Sequence, residues 1–362
     1  MGTNAVPGNG LALRGISVSD RAQRETQQGV SEMSETPSKV LVTGASGYVA
    51  GHVVRELFEH GYAVRGSVRD PAAEDKVGYL SAFGDIELVA ADLTEDAGWP
   101  AAVAGCDVVM HTASPFFLSD DESSLVGPAV DGTLRVLKAA HEAGVKRVVL
   151  TSSTAAIVNT SADRYTEAQW SDVETCSPYP KSKTLAERAA WDFVADKDME
   201  LVTCNPCLVL GPLQSDRLSL SVNVVQRLLG RQLPAVPRLG FSIVDVRDVA
   251  IAHRLAMETP EAAGQRYLLM SDHLWMKEMS VLLKARFGEQ GFRPPTLGLP
   301  YPLLWLAARF DAGARAILSD VGTHKILDAT KARTMLGWSP RPVQDSVLDT
   351  GQSLVDRGIV KP

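Results

Sequence analysis

The chain has 362 residues, 45% of them hydrophobic and 22% charged, enough apolar material for one large α/β domain or two fused units, which excludes a disordered or fibrous protein. Its 36 Lys plus Arg against 43 Asp plus Glu leave a net charge of -7. That balance argues against a nucleic-acid or anionic-membrane partner and requires any anionic ligand to be met by a local basic cluster.

Residues 1–37 are rich in Gly, Ser, Gln and Asn without a sustained apolar period or a signal-peptide core, and read as a disordered leader. Met33 offers a second start just ahead of the first strand, so the leader reads either as native or as an upstream extension. From Lys39, short β-branched runs alternate with helical periods. Strands are expected at Val40–Val42, Tyr62–Val68, Ile86–Val89, Asp107–His111, Arg147–Thr151 and Leu201–Cys204, and helices at Tyr48–His60, 126–143 and 180–196. This order describes a doubly wound parallel sheet of the Rossmann type. The dinucleotide-binding domain is expected over 38–206. Ser242–Val246 and the helix to Met257 are expected to return to its sheet as a segment 241–258. Proline-rich stretches 207–240 and 259–342 read as a smaller substrate-binding lobe, and 343–362 as a C-terminal helix and tail.

Four cysteines suit a reducing compartment, with the cytosol as the expected location. Cys204 and Cys207 have redox or metal-ligand spacing, but their apolar strand favours structural thiols, and no metal is expected. No run approaches the roughly 20 apolar residues of a membrane span. Leu297–Phe310 reads as a lobe helix packed on its neighbours, with an interfacial helix as the other reading.

Thr43-Gly-Ala-Ser-Gly47-Tyr-Val-Ala50 lies between a strand and a helix. There, Gly44 and Gly47 let backbone N–H groups approach a pyrophosphate at the helix N-terminus, beside Tyr48 and Val49. The second strand ends in Ser67-Val-Arg69-Asp70 rather than in the acidic residue that binds the 2′-hydroxyl of NAD. A guanidinium at Arg69, with Lys76 in the following loop, suits the 2′-phosphate of NADP, whereas Arg65 reads as a solvated face residue.

Tyr179-Pro-Lys-Ser-Lys183 places a phenol and an ammonium on one face of a helix start. A nearby ammonium stabilises the phenolate and brings its proton into play. Ser153 stands 26 residues upstream at a strand's carboxyl edge, where it can hold a substrate carbonyl while Tyr179 protonates the developing alkoxide. Ser152 reads equally as a strand-end hydrogen bond.

Together with Ser67-Val-Arg-Asp-Pro71, Ala91-Asp-Leu93, His111-Thr-Ala-Ser-Pro115, Thr151-Ser-Ser153, Tyr179 to Glu187, Asn205 to Pro212, Val244 to Ala250 and Leu336-Gly-Trp338, these motifs resemble the extended short-chain dehydrogenase/reductases. The resemblance runs from about Lys39 to Pro342 and lies within the dihydroflavonol reductase-like group. It implies an NADPH-dependent aldehyde or ketone reductase, acting on a small-molecule carbonyl as a monomer or homodimer. By position, Asp92 and Leu93 would touch the adenine, and Thr112, Ala113 and Ser114 would line the nucleotide. Pro206, Cys207, Leu208 and Val209 would pass the nicotinamide, and Ser221 would contact cofactor. From the residues alone, Asp92 reads equally as a helix cap for Thr94 onward and Pro206 as a strand terminator. Val158 stands five residues after Ser153, where the flavonoid enzymes carry an Asn that reads ring hydroxyls, and the N-W-Y-C-Y motif of cinnamoyl-CoA reductases is absent. Two other readings are an NAD-dependent sugar-nucleotide epimerase, dehydratase or steroid dehydrogenase of the same fold, and a non-catalytic NADPH-sensing regulator. Arg69 argues against the former, and the presence of both Tyr179 and Lys183 against the latter.

Overall fold

Val40 and Val42 pack into one core while Leu41 between them packs into another; Val108 and Met110 on the fourth strand divide from Val109 in the same way. This period of two on strands apolar at every position marks a sheet covered on both faces. The structure, a computed structural model, describes residues 1–5, 39–114, 122–310, 314–315 and 317–362. The leader reading falls almost wholly on 6–38, outside the described residues.

In chain order the first half comprises β1 (Lys39–Thr43), α1 (Tyr48–Glu59), β2 (Ala63–Val68), α2 (Glu74–Val77), β3 (Glu87–Ala90), α3 (Trp99–Val103), β4 (Val108–His111), α4 (Glu122–Glu142), β5 (Arg147–Thr151) and α5 (Pro178–Val194). There follow β6 (Glu200–Pro206), β7 (Leu208–Leu210), α6 (Val222–Leu229), β8 (Gly240–Asp245), α7 (Val246–Glu258), β9 (Arg266–Leu269), β10 (Asp272–Trp275), α8 (Met276–Phe287), α9 (Tyr301–Ala307), α10 (Thr330–Met335) and α11 (Val343–Asp356). Seven strands form a parallel sheet in the order β3-β2-β1-β4-β5-β6-β9. Its order reverses at β1 and β4, the crevice where open α/β sheets bind ligands. Helices α1 and α7 pair with each other, and α4 pairs with α5.

A second sheet, β10-β8-β7, packs with α6, α8 and α11 around Val225, Ile243, Met279, Phe287 and Val347. This corrects the expectation for 241–258. The strand at Ser242 pairs in parallel with β7 and antiparallel to β10, and only the helix after it returns, packing on α1 and the large sheet. The seventh strand of the large sheet is instead β9, from a stretch expected in the lobe. The hinge of that return is Asp245, which accepts the N–H of Arg247 at 2.9 Å and caps α7.

Two further expectations change. Arg65 is buried, not solvated. Because β3 covers β2 on that side, its side chain runs under α3 and donates to the carbonyls of Ala101, Ala102 and Ala104, while pairing with Glu87 at 2.9 Å. Helix α9 is not packed all round: Leu304 is buried, but Leu303, Trp305 and Leu306 are exposed, as are Leu297 and Phe310 beside the helix. Among the described residues, no helix is long and apolar enough to cross a membrane.

Candidate functional site

The glycine loop leaves β1 with Gly44 at a φ of +63°. A Cβ there would lie 3.0 Å from the Cβ of Ala113, so both backbone conformation and close approach require glycine. The N–H of Gly44 donates to Ser67 Oγ at 3.2 Å, and that of Ala45 donates to the Ser67 carbonyl at 2.9 Å. The amides open to a pyrophosphate are therefore those of the first turn of α1, which have no partner within the helix. Gly47 stands at its N-cap, exposed and without a side chain to block approach. Tyr48 opens the helix and donates its hydroxyl to the Gly211 carbonyl at 2.9 Å, tying the loop to the exit of β7, with Val49 half-buried next to it.

The segment after β4 is clamped onto the same strand end. Thr112 donates to the Thr43 carbonyl at 2.5 Å, and the Ala113 N–H donates to Thr43 Oγ1 at 3.0 Å. Thr43 Oγ1 also lies 2.9 Å from His111 Nδ1, and burial pushes that imidazole down to about 3, keeping it neutral. Ser114 receives a hydrogen bond from Lys183 Nζ at 2.9 Å.

Ser153 follows the end of β5, where its Oγ accepts the N–H of Ala155 at 3.1 Å. Helix α5 starts at Pro178, fixed in helical φ by its ring, which sets Tyr179 in the first turn beside Ser153; the two side chains are hydrogen-bonded. Burial raises the phenol above its ordinary value, and the Ser153 bond opposes that rise. Lys183 lies one turn on with its ammonium 5.9 Å from the Tyr179 ring centroid. Burial draws this amine down to about 8, and the charge of Glu187 works against the shift. In the ligand-free protein Lys183 donates to Ser114, and burial rather than the ammonium sets the direction of the Tyr179 shift.

Arg69 and Lys76 are exposed beyond β2 and on α2, and are not bonded to each other. Arg69 faces Asp92 electrostatically. Asp92 accepts the N–H and hydroxyl of Thr94 at 2.8 and 2.7 Å, bonds that hold its carboxyl below the usual range. It caps a turn rather than a helix, because α3 starts only at Trp99. Leu93 packs against Gly132, where a Cβ would come within 3.0 Å of it.

On the other flank Pro206 ends β6, and the Cys207 N–H donates to the Leu269 carbonyl at 3.2 Å. Leu208 and Val209 then run into β7. Burial pushes the thiols of Cys204 and Cys207 well up, which suits structural rather than redox thiols. Ser221 is the N-cap residue of α6, with its hydroxyl 2.9 Å from that of Ser219.

The NAD dependent epimerase/dehydratase family model matches residues 40–269 of this chain, from the first strand of the large sheet to its seventh. The chain belongs to that family. Within it, the chain falls among the extended short-chain reductases of the dihydroflavonol reductase-like group. It is 36% identical to cinnamoyl-CoA reductase 1 of Arabidopsis thaliana, over 92% of this chain and 94% of that one. It is 35% identical to an anthocyanidin reductase of Vitis vinifera, over 70% and 82%. Among solved structures, yeast methylglyoxal/isovaleraldehyde reductase Gre2 complexed with NADPH superposes with a TM-score of 0.74 at 29% identity, covering 89% of this chain and all of that one.

Glu187 and Asn205 stand at the ends of two of the family-like motifs without a role assigned to them, and Arg266 lies outside the motifs; all three sit behind the site. Glu187 had one available signal, its position four residues after Lys183 on the same helical face. Arg266 had none, because its partner is 79 residues away.

Proposed function

We propose that the protein is an NADPH-dependent reductase that converts an aldehyde or ketone to an alcohol, with Tyr179 as proton donor. The observation that carries this reading is the hydrogen-bonded Ser153 and Tyr179 pair at the carboxyl edge of the sheet, with the Lys183 ammonium buried behind it. The residues present fit the cofactor. The side-chain-free approach at Gly44 and Gly47 and the unpaired first turn of α1 suit the pyrophosphate. Arg69 and Lys76 suit the 2′-phosphate, with Asp92 and Leu93 at the adenine. Thr112 to Ser114 flank the nucleotide, Lys183 suits the nicotinamide ribose, and Pro206 to Val209 run past the ring; Ser221 is assigned the outer edge of the same cleft.

Bound NADPH supplies the hydride. As the carbonyl carbon accepts it, the π pair moves onto oxygen, and Ser153 and Tyr179 donate hydrogen bonds to that oxygen. Tyr179 then transfers its proton, giving a neutral alcohol, and the Lys183 charge steadies the phenolate left behind. Val158 and Asn159, in the segment after Ser153, line a cavity of about 530 Å³ with Asp172, Cys176 and Lys325, and the apolar Val158 supports a carbonyl substrate other than a flavonoid. Four free cysteines suit cytosolic residence. Incubating the protein with NADPH and a panel of aldehydes, ketones and diketones, and following oxidation of the cofactor, tests the proposal. Turnover of at least one class is expected, and none with any of them would overturn it.

A further inference from the structure

Behind the catalytic pair lies a buried carboxylate that is hydrogen-bonded through both oxygens. Glu187 is 1% exposed. One of its oxygens accepts Arg266 Nε at 2.6 Å, Thr203 Oγ1 at 3.1 Å and Trp191 Nε1 at 3.4 Å; the other accepts Ser152 Oγ at 2.5 Å and Asn205 Nδ2 at 2.8 Å. The same Asn205 amide donates to the Ser153 carbonyl at 3.2 Å. One side chain on α5 therefore binds the two residues that follow β5, Ser152 directly and Ser153 through Asn205, while its own helix carries Tyr179 and Lys183. Arg266, on β9, stacks its guanidinium 3.7 Å from the Trp170 ring centroid and donates to the carbonyls of Glu167 and Gln169, fixing the segment that leads back to Tyr179.

We propose that Glu187 is a positioning residue for this active site: its carboxylate locks the exit of β5 to helix α5 and so sets the Ser153 to Tyr179 geometry, while its charge supports the Lys183 ammonium. A buried charge costs free energy unless it is fully paired, and no such arrangement is needed to hold a parallel strand to a helix, where apolar contacts serve. The placement is also specific. Two of its polar contacts, Ser152 directly and Asn205 in one step, reach the segment that bears Ser153, and proton transfer is sensitive to displacements well under the width of an atom. Among the described residues, the titratable and charged groups around the Lys183 amine are Tyr179 and Glu187 from α5 and His111 from β4, with Arg266 of β9 behind Glu187. His111 is neutral, so among the described residues Glu187 is the anion that favours the charged amine.

The proposal rests on the reductase reading. Turnover by the wild type tests that reading, and the variants test this one, each measured per active site titrated by NADPH fluorescence. In Glu187→Gln, kcat is expected to fall about 10- to 100-fold, the size of loss that a displacement of an ångström produces. At neutral pH the Kd for NADPH should stay near that of the wild type, and the basic limb of the pH profile should move to lower pH because the amine loses its anion. Glu187→Asp keeps the charge but is one methylene short, so the basic limb should return while kcat stays low. A merely structural carboxylate would lower the yield of titratable sites and leave kcat per site and the pH limb unchanged, and that result would overturn the proposal. If Glu187→Gln does not bind NADPH, Ser152→Ala decides. It removes the 2.5 Å bond without stranding a charge, and a kcat per site equal to that of the wild type would sink the idea, whereas a drop of about tenfold would support it.

Discussion

Around Tyr179 and Lys183 the polar groups are half-buried in front, at Ser153 and Ser114, and fully buried behind, at Glu187 and Arg266, and they are bonded to one another. At the opposite end of the cleft Arg69 and Lys76 stand in solvent. The two regions solve different problems. Where a bond is made, groups must be held to a fraction of an ångström, and burial supplies both rigidity and a medium in which each charge counts. Where a cofactor is only selected, exposed charges suffice, at the cost of screening by salt and by water.

Substitutions at the two ends should therefore fail in different ways. The largest effect is expected for Tyr179→Phe, which removes the proton and keeps the ring: kcat should fall by about 100-fold or more, with the Kd for NADPH near that of the wild type. Retention of more than about a tenth of kcat would take Tyr179 out of the acid role. Next comes pH. Lys183 is drawn from 10.5 to about 8, so above about pH 8 the unliganded protein must take up a proton to present an ammonium to the ribose. The Kd for NADPH should rise by up to about tenfold per pH unit there, and Lys183→Met should bind weakly with that slope gone. A slope that persists in the variant assigns the titration elsewhere.

At the exposed end the losses are smaller and salt-dependent. A charge-assisted bond from Arg69 to a 2′-phosphate, discounted for its exposure, contributes about 1.4 kcal/mol, so Arg69→Ala should weaken NADPH about tenfold and leave NADH almost unchanged. Lys76→Ala should cost less than about fivefold. Titrations at two salt concentrations sharpen the contrast: the wild-type advantage of NADPH over NADH should shrink as salt rises, while the Tyr179→Phe defect should not move. Equal weakening of both cofactors by Arg69→Ala would remove it from the phosphate.

The features legible in the sequence were those carried by local spacing. The strand, glycine loop and helix at 39–59 and the Tyr179 to Lys183 turn are each complete within about twenty residues, and periodicity and turn chemistry specify them. The errors fell where a residue's neighbours are remote in sequence. Arg65 looked like a solvated charge because nothing nearby announces that α3 will end with its carbonyls above it. Ser242–Val246 has the apolar run of a large-sheet strand, but its pairing is decided by β7 and β10. Glu187 could be placed on the Lys183 face but not given a partner, since Arg266 reaches it only once β9 closes the sheet.

That closing strand has a consequence for taking the molecule apart. The chain leaves the large sheet at Pro206, builds two strands of the small sheet, and comes back to add β9 before adding β10 to the small sheet again. No single cut separates the two sheets. A fragment ending at Glu258 would lack Arg266 and leave a buried carboxylate stranded on the catalytic helix. Chimaeras between relatives must exchange 207–245 and the stretch after Leu269 together. During synthesis, the ribosome must release more than two hundred residues beyond Lys39 before the catalytic helix can be locked in place.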